Sequence, residues 1–352
     1  MATVISSAPT DRWQAICDSD DDHLPTHTPR WMSAVTASGR RRDVSRLYRF
    51  DDGVEVVVPI AASTRRFGVV TAGAMPTHWG TGGLVSTGPV SPRNAALVLS
   101  DLAGMNIGRL TIWPDARQHA VWEAGRSRIT HPIVAVPRRF HVLELTPGFD
   151  AITRTGFDKY TRRYLKRADE AGVTTTHDRT GRLIPEFFDV LQRAIPRWAG
   201  QQHEPVGIAR FRAARRDPIE KFETICRHMG DQAVIGIARV DGRAVAAVLY
   251  LLGRNADIIW APVDPDIGAS VHAPTKLYAE AIRAACDAGC THFSMGESGF
   301  AAGLDRFKRR LGARAVDYCS YRIEHLPLTP VEETAKRVVK RVIGFRDTAA
   351  VS

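Results

Sequence analysis

Residues 291–312 read THFSMGESGFAAGLDRFKRRLG. The stretch opens on a short alternating run, His292-Phe293-Ser294-Met295, the pattern of a half-buried strand. Gly296, Gly299 and Gly303 then break regularity around Glu297 and Ser298, and Arg306, Lys308, Arg309 and Arg310 gather about Phe307 and Leu311 before Gly312. A carboxylate at a strand end, followed by a glycine loop and a cationic turn, is a way of mounting a polar site on a rigid sheet. The rest of the chain must therefore supply a sheet for this strand and a task for these cations.

At 352 residues the chain is too long for one ordinary core, so two domains are expected, 1–150 and 151–325, followed by a tail at 326–352. An apolar share of 44% with 24% charged residues is the make-up of a globular protein in water. No run of about 18 uncharged apolar residues occurs, so no spanning helix is expected. MATVISSAPTDRW has neither a basic nor an apolar leader pattern, and no secretory signal is expected. Cys17, Cys226, Cys286, Cys290 and Cys319 are odd in number and scattered, which fits a reducing cytoplasm. Cys286 and Cys290 with His292 are too few for a closed metal set and read as small hydrophobes, so no metal is expected. The net charge of +10 is uneven: residues 1–150 hold 16 Arg against 14 acids, and 151–352 hold 32 Lys+Arg against 24. Such an excess suits phosphate-bearing partners such as nucleotides, coenzyme A, transfer RNA or a lipid headgroup surface. An Arg-rich genome gives the same bias.

The second half organises itself around the quoted stretch. FDKYTRRYLKRADEAG, Phe157 to Gly172, places Phe157, Tyr160, Tyr164, Ala168 and Ala171 on one helical face and Lys159, Arg162, Arg163, Lys166 and Arg167 on the other. That basic face is either solvated or a phosphate contact. A helix over Leu183–Ile195 is expected to end at Pro196, with Ala199–Gly207 as a polar loop. Trp198 beside it is a hydrophobic plug or a stacking wall. Three strands, 233–240, 244–252 and 256–263, joined by Asp241-Gly242-Arg243 and Arg254-Asn255, must be antiparallel neighbours. A helix over Pro274–Ala288 follows, with Leu277, Ala281, Ile282 and Ala285 inward. Then come the strand at His292, a short helix near Leu304–Leu311, and a last strand Ala315–Ile323. Thr329-Pro330-Val331-Glu332 opens a tail helix with a basic flank, which packs on the body or touches a membrane surface.

In the first half, Thr28 caps a helix started by Pro29, and Ser45–Phe50 and Val54–Ile60 form a hairpin about Asp51-Asp52-Gly53. A long glycine-rich loop over Gly73–Ser91 carries His78-Trp79, which either line a pocket or simply pack. Helix 93–103 and strands 109–113 and 140–145 lead into the second half. Neither GxGxxG after a strand nor GxxxxGK[ST] is present, which disfavours dinucleotide and P-loop chemistry.

Helix pair, antiparallel meander, helix, strand and closing strand is the order of a GNAT-type acyltransferase domain, and the local residues resemble the FemAB-type branch, in which two such domains occur in tandem. FDKYTRRYLKRADEAGVTTT resembles that branch's first helix, RVDGRAVAAVLYLLG its hairpin, and FSMGESGF…RFKRRLG its strand-loop ending in an aromatic-Lys-x-x-apolar-Gly motif. TPRWMSAV with VEVVVPIAAS resembles the start of its N-terminal domain. The resemblance covers about Trp13 to Ile323. It implies an α/β fold of two tandem domains, each a mostly antiparallel central sheet flanked by helices. It also implies transfer of an acyl or aminoacyl group to an amine with formation of an amide bond. The donor co-substrate would be aminoacyl-tRNA, or acyl-CoA in acetyltransferase-like relatives, with no permanently bound cofactor. The family's lysine falls on Lys308 and its helix arginine on Arg163. The pyrophosphate turn Q/R-x-x-G-x-G/A of coenzyme A enzymes is replaced here by Asp264-Pro265-Asp266-Ile267-Gly268-Ala269-Ser270-Val271-His272-Ala273. This poorly supplies a backbone N–H cradle and favours a donor held by cationic side chains.

Acyl transfer to an amine needs a neutral nucleophile, a route for its proton and stabilisation of the oxyanion. Glu297 is the candidate for orienting or deprotonating the amine, its alternative being a loop carboxylate paired with Arg306 or Lys308. Lys308 is assigned to the oxyanion or donor phosphate, or else is a surface cation. Arg306 and Arg163 would hold donor phosphates, with Tyr160, Trp198, Trp260 and Ser298 completing the substrate-binding set. A non-catalytic reading, in which the basic half grips nucleic acid or an anionic polymer, stands beside the enzymatic one.

Overall fold

The computed structural model describes residues 2–63, 69–299, 301–326, 328 and 329. The chain divides into two units, Met1–Arg139 with Val316–Glu333, and Phe140–Ala315. The boundaries read from sequence at 150 and 325 differ from this division because the last strand pairs within the first unit.

In the first unit, β1 (Ala2–Ser6), β3 (Arg46–Phe50), β4 (Glu55–Val58) and β7 (Val85–Ser86) form an antiparallel sheet in the order β1-β3-β4-β7. β2 (Arg41–Asp43), β5 (Ala61–Ser63), β6 (Thr71–Ala74) and β8 (Arg109–Ile112) form a second array, in which β6 and β8 run parallel. Helices α1 (Thr10–Ser19), α2 (Pro29–Thr36), α3 (Pro92–Ala103) and α4 (His119–Arg126) complete the unit. Thr28 caps α2 as expected, its Oγ1 accepting from the Trp31 N–H at 3.3 Å. The glycine-rich loop packs: Thr26 Oγ1 donates to Thr81 O, and the Trp31 indole N–H donates to Trp79 O at 3.0 Å.

In the second unit, a one-turn helix α5 (Phe149–Ala151) runs into a π-type turn, Ile152–Gly156, ahead of α6 (Lys159–Glu170). Then come β10 (Thr174–Asp178), α7 (Ile184–Gln201), α8 (Val206–Arg216), α9 (Ile219–Met229), β11 (Ala233–Val240), β12 (Arg243–Leu252) and β13 (Ala256–Trp260). α10 (Ala273–Asp287), β14 (His292–Glu297) and α11 (Ala302–Arg310) close it. β10, β11, β12 and β13 are antiparallel in that order, so the expected meander is present with one further strand at its edge. β14 lies parallel to β13 and antiparallel to Phe140–Glu144, the end of β9 (Val134–Glu144). β12 is buried on both faces from Ala244 to Leu252, as a strand covered by helices on each side should be. Leu277, Ala281, Ile282 and Ala285 of α10 are almost fully buried against it.

Two expectations are corrected. α7 does not stop at Pro196; it runs through it to Gln201. Proline removes one ladder bond and normally breaks a helix, but here Ile195 and Ala199 on either side of it are packed against Ala209 of α8, and the polar loop expected at 199–207 is largely helical. The last strand, β15 (Arg314–Glu324), is not a direct neighbour of β14: Tyr321–Glu324 pair antiparallel with β8, and Tyr321 and Ile323 are buried in the first unit's core. The tail helix expected to open at Thr329-Pro330 lies, from Pro330 onward, outside the described residues.

The join between α11 and α6 fixes the site's floor. Asp158 caps α6 by accepting from the Thr161 N–H at 2.7 Å. The Asp158 N–H and the Thr161 hydroxyl both donate to the main-chain oxygen of Arg310, at 3.0 and 2.8 Å. The exposed carbonyl at one helix end is thus satisfied by the start of another. Gly312 makes this approach possible: its φ is +84°, and a Cβ there would lie 3.2 Å from the Gly156 oxygen. Gly312→Ala is expected to destabilise the fold by about 1–3 kcal/mol, read as a lower urea midpoint with an unchanged m-value.

Candidate active site

β13 and β14 pair only at Ala256–Phe293 and Asp257–Ser294. Beyond those pairs β13 continues to Trp260 and β14 to Glu297, with no further ladder pair between them among the described residues. Lys308 of α11 fills this divergence. Its side chain is 2% exposed, and Nζ donates to the main-chain oxygens of Gly296 at 2.8 Å and Glu297 at 2.9 Å. A Cβ added to Gly296, whose φ is +74°, would stand 3.9 Å from both that Nζ and the Ile258 oxygen on β13. The amine therefore lies close to both strand ends. Burial pushes its pKa down to about 7, against the attraction of Glu297, Asp257 and Asp305. A neutral amine has two N–H donors, which is the number these two carbonyls use.

Glu297 is half-buried at the strand's tip. Ser298 is buried, and its hydroxyl donates to Gly299 O at 3.2 Å. Under them, His141 of β9, fully buried, contacts the Asp305 carboxylate through Nε2 at 3.0 Å, and Asp305 also takes Arg309 Nε at 2.9 Å. Burial first, then the nearby Lys308, hold His141 below its ordinary value. No motif marks His141, which lies in an unremarkable strand; only the β9–β14 pairing brings it to the lysine.

Beside this tip opens a cavity of about 790 Å³. Arg197, Trp198 and Gln201 of α7, Thr161 and Tyr164 of α6, His272, Thr275 and Tyr278 around the start of α10, and Leu304, Arg306, Phe307 and Arg310 of α11 line it. The run of α7 through Pro196 is what delivers Arg197, Trp198 and Gln201 to this wall. Of the residues expected in a substrate site, Trp198 and Arg306 are lining residues. Tyr160 and Arg163 stand in an adjoining stack: Arg310 lies 4.6 Å and Arg163 5.3 Å from the Tyr160 ring centroid. Tyr164 in turn stacks on His272, with centroids 4.0 Å apart and planes 12° from parallel. Burial, then Arg167 and Arg163, keep His272 below its ordinary value. Trp260, at the end of β13, is half-buried with Arg216 at 5.5 Å and Lys221 at 5.9 Å from its ring. Glu297, Ser298 and Lys308 are not among the cavity's lining residues; they sit at the strand tip that precedes α11.

The turn before α10 has its amides engaged from within. Asp264 is fully buried, and its carboxylate accepts from the N–H groups of Asp266 and Ile267 and from Arg193 and Arg243. Burial alone would raise this carboxyl, but those donors hold it below its ordinary value. The N–H groups of Gly268, Val271, His272, Ala273 and Thr275 donate to the main-chain oxygens of Asp264, Ile267, Ala269, Gly268 and His272 respectively. His272 takes a left-handed conformation, φ +56°, where it caps the helix. Arg197, Arg306 and Arg310 add cationic side chains to the cavity wall.

Cys290 Sγ donates to Gly253 O at 3.4 Å, a small buried side chain as expected. His119, Glu123 and Cys319, in the first unit, bring three metal-capable atoms within 4.8 Å of one another, but Arg126 holds the Glu123 carboxylate through Nε and Nη2.

A family model described as an acetyltransferase (GNAT) domain matches residues 156–309. No curated protein sequence matches the chain. Among solved structures, FemX is 10% identical with a TM-score of 0.64, over 94% of this chain and 99% of that one. A tandem GNAT protein from the clavulanic acid biosynthesis pathway is 12% identical with a TM-score of 0.51, over 93% of this chain and 99% of that one. A conserved protein of unknown function from Bacteroides thetaiotaomicron is 10% identical with a TM-score of 0.55, over 92% and 99%. At such identities the likeness is one of fold. The matched span, under half of the chain, runs from Gly156, against which Gly312 packs, through the meander, α10 and β14 to Arg309 beside Lys308: residues 156–309 are similar to a GNAT acetyltransferase domain, and the fold is similar to that of FemX and of the tandem GNAT protein.

Proposed function

We propose that the chain transfers an aminoacyl group from aminoacyl-tRNA to an amine, forming an amide bond. The observation that carries this reading over an acyl-CoA donor is the self-satisfied turn before α10. A pyrophosphate bound at a helix start is recognised by unengaged N–H groups, and here those of Asp266, Ile267, Gly268, Val271, His272, Ala273 and Thr275 already have acceptors. Arg163, Arg306, Arg310 and Arg197 offer charge without that cradle, and Tyr160 and Tyr164 offer ring faces to a nucleotide end. Acyl-CoA remains the second reading, favoured by the family match alone. The chain would work in the cytoplasm, where charged tRNA is found.

In the proposed step the amine nitrogen attacks the acyl carbonyl. The C–N bond forms as the C–O bond to the ribose oxygen breaks, and the proton lost by nitrogen passes through Glu297 to the departing oxygen. Trp198, Leu304 and Phe307 exclude water around the acyl group, and Ser298 and the tip of β14 orient the acceptor. Lys308, placed on two carbonyls, serves as a positioning residue: it holds Glu297 through the main chain, and any direct hold on an oxyanion would require it to release them. Trp260 is assigned to the acceptor side.

Incubating the protein with charged tRNA or acetyl-CoA and a panel of amines, read by mass shift, tests the donor. An RNase-sensitive product is expected; a product made only with acetyl-CoA selects the second reading, and tight RNA binding with no product from either donor overturns both. Glu297→Gln is expected to lower kcat by about 10²–10³-fold with KM little changed. Arg310→Ala should mainly raise KM for the donor. The buried lysine also has a pH signature. Its folded pKa of about 7 lies below the ordinary 10.5, so between these values the unfolded chain binds more protons and stability rises with pH. Below about 7 the full cost of burying the charge is present. Melting curves across pH 6–10 should show this rise in the native chain and its absence in Lys308→Met, with the difference largest at the acid end.

A further inference from the structure

α8 carries a surface that the acyl-transfer site does not use. Among the described residues seven large hydrophobic side chains are exposed, and three of them, Val206, Ile208 and Phe211, are on this one helix, Phe211 at 64% exposure. The same helix, VGIARFRAARR, holds four arginines and no carboxylate. Arg212 is tied to the buried Glu204 and Arg216 to the buried Asp217. Arg210 and Arg215 form no ion pair among the described residues, and the Arg215 guanidinium lies 5.6 Å from the Phe211 ring centroid. On the opposite side Ala209 and Ala213 pack on Ile195, Trp198 and Ala199 of α7, a small cluster separate from the main core. The helix is thus fastened through its small residues and turns its large apolar and cationic ones to solvent.

We propose that α8 is a membrane-docking surface, lying flat on an anionic lipid bilayer with Phe211 and Ile208 entering the acyl boundary and Arg210 and Arg215 on the headgroup phosphates. The charge is complementary to such a surface, and large apolar side chains set among cations of one sign suit an anionic interface. Nucleic acid would also meet the arginines, but Val206 and Ile208 have no ring to stack on a base, whereas aliphatic burial in lipid needs none. This proposal is independent of the donor's identity: a soluble donor and a membrane-borne location are compatible.

The test is co-sedimentation of the full chain with vesicles of phosphatidylcholine alone and of phosphatidylcholine with phosphatidylglycerol, with total tRNA as a separate ligand. Binding is expected to the phosphatidylglycerol vesicles and to weaken with salt. It should fall about tenfold or more in Arg210→Glu/Arg215→Glu and by a similar factor in Ile208→Ser/Phe211→Ser. Unchanged circular dichroism melts would show that these variants fold, and a second pair, Ile208→Leu/Phe211→Leu, should restore binding. Vesicle binding that is absent, or that survives both charge reversal and the serine pair, overturns the proposal. So does loss of tRNA binding in these variants with lipid binding unmoved, or a dimer in solution that Phe211→Ser dissociates.

Discussion

The amine of Lys308 bonded to the oxygens of Gly296 and Glu297 is the contact on which the second unit's site depends. Two parallel strands that cease to pair leave carbonyl groups without ladder partners, and a buried carbonyl without a partner costs free energy. A lysine supplied by the next helix removes that cost and at the same time fixes where Glu297 stands. Its own burial is offset in part by Glu297, Asp257 and Asp305. The short helix α11 can bring its lysine here because both its ends are anchored, by Asp305 on His141 and by the Arg310 oxygen on α6.

The same economy governs the cavity. Asp264 collects the N–H groups of Asp266 and Ile267 and two guanidiniums at the turn before α10, which engages these donors within the turn. Anion recognition is thereby moved from main chain to side chain, onto arginines whose planes lie against tyrosines. Side chains on α6, α7 and α11 can differ between relatives with no change in the backbone, and donor choice can vary on a constant fold for that reason.

Much of the fold was legible because it rests on short-range patterning. The meander's short turns, the inward stripe Leu277-Ala281-Ile282-Ala285, and the Thr28-Pro29 start are local signals, and each element stands where the pattern placed it. Reading failed where a distant contact outweighed a local rule. Pro196 argues for a helix end, but packing of Ile195 and Ala199 on Ala209 carries α7 past it. The last strand looked like the second domain's closing strand because it follows in sequence; its residues Tyr321 and Ile323 instead find their burial in the first unit. Of the residues singled out by type and spacing, Trp198 and Arg306 line the cavity, Tyr160 and Arg163 stand in the neighbouring stack, and Trp260 stands with Arg216 and Lys221.

By itself the sequence determined that a carboxylate, a buried-type aromatic and a cluster of cations follow one strand, and that this strand belongs to an acyltransferase-like order of elements. Residue type and spacing along the chain carry that information. Only the tertiary structure decided which cation turns inward. Arg306, Lys308, Arg309 and Arg310 are near-equivalent in sequence, and a helix of nine residues can bury just one of its faces. Contact with β14 selects Lys308 for burial and leaves Arg306 and Arg310 to the cavity. His141, nearly 170 positions away in the chain, joins them because strand pairing, which no local pattern encodes, lays β9 beside β14.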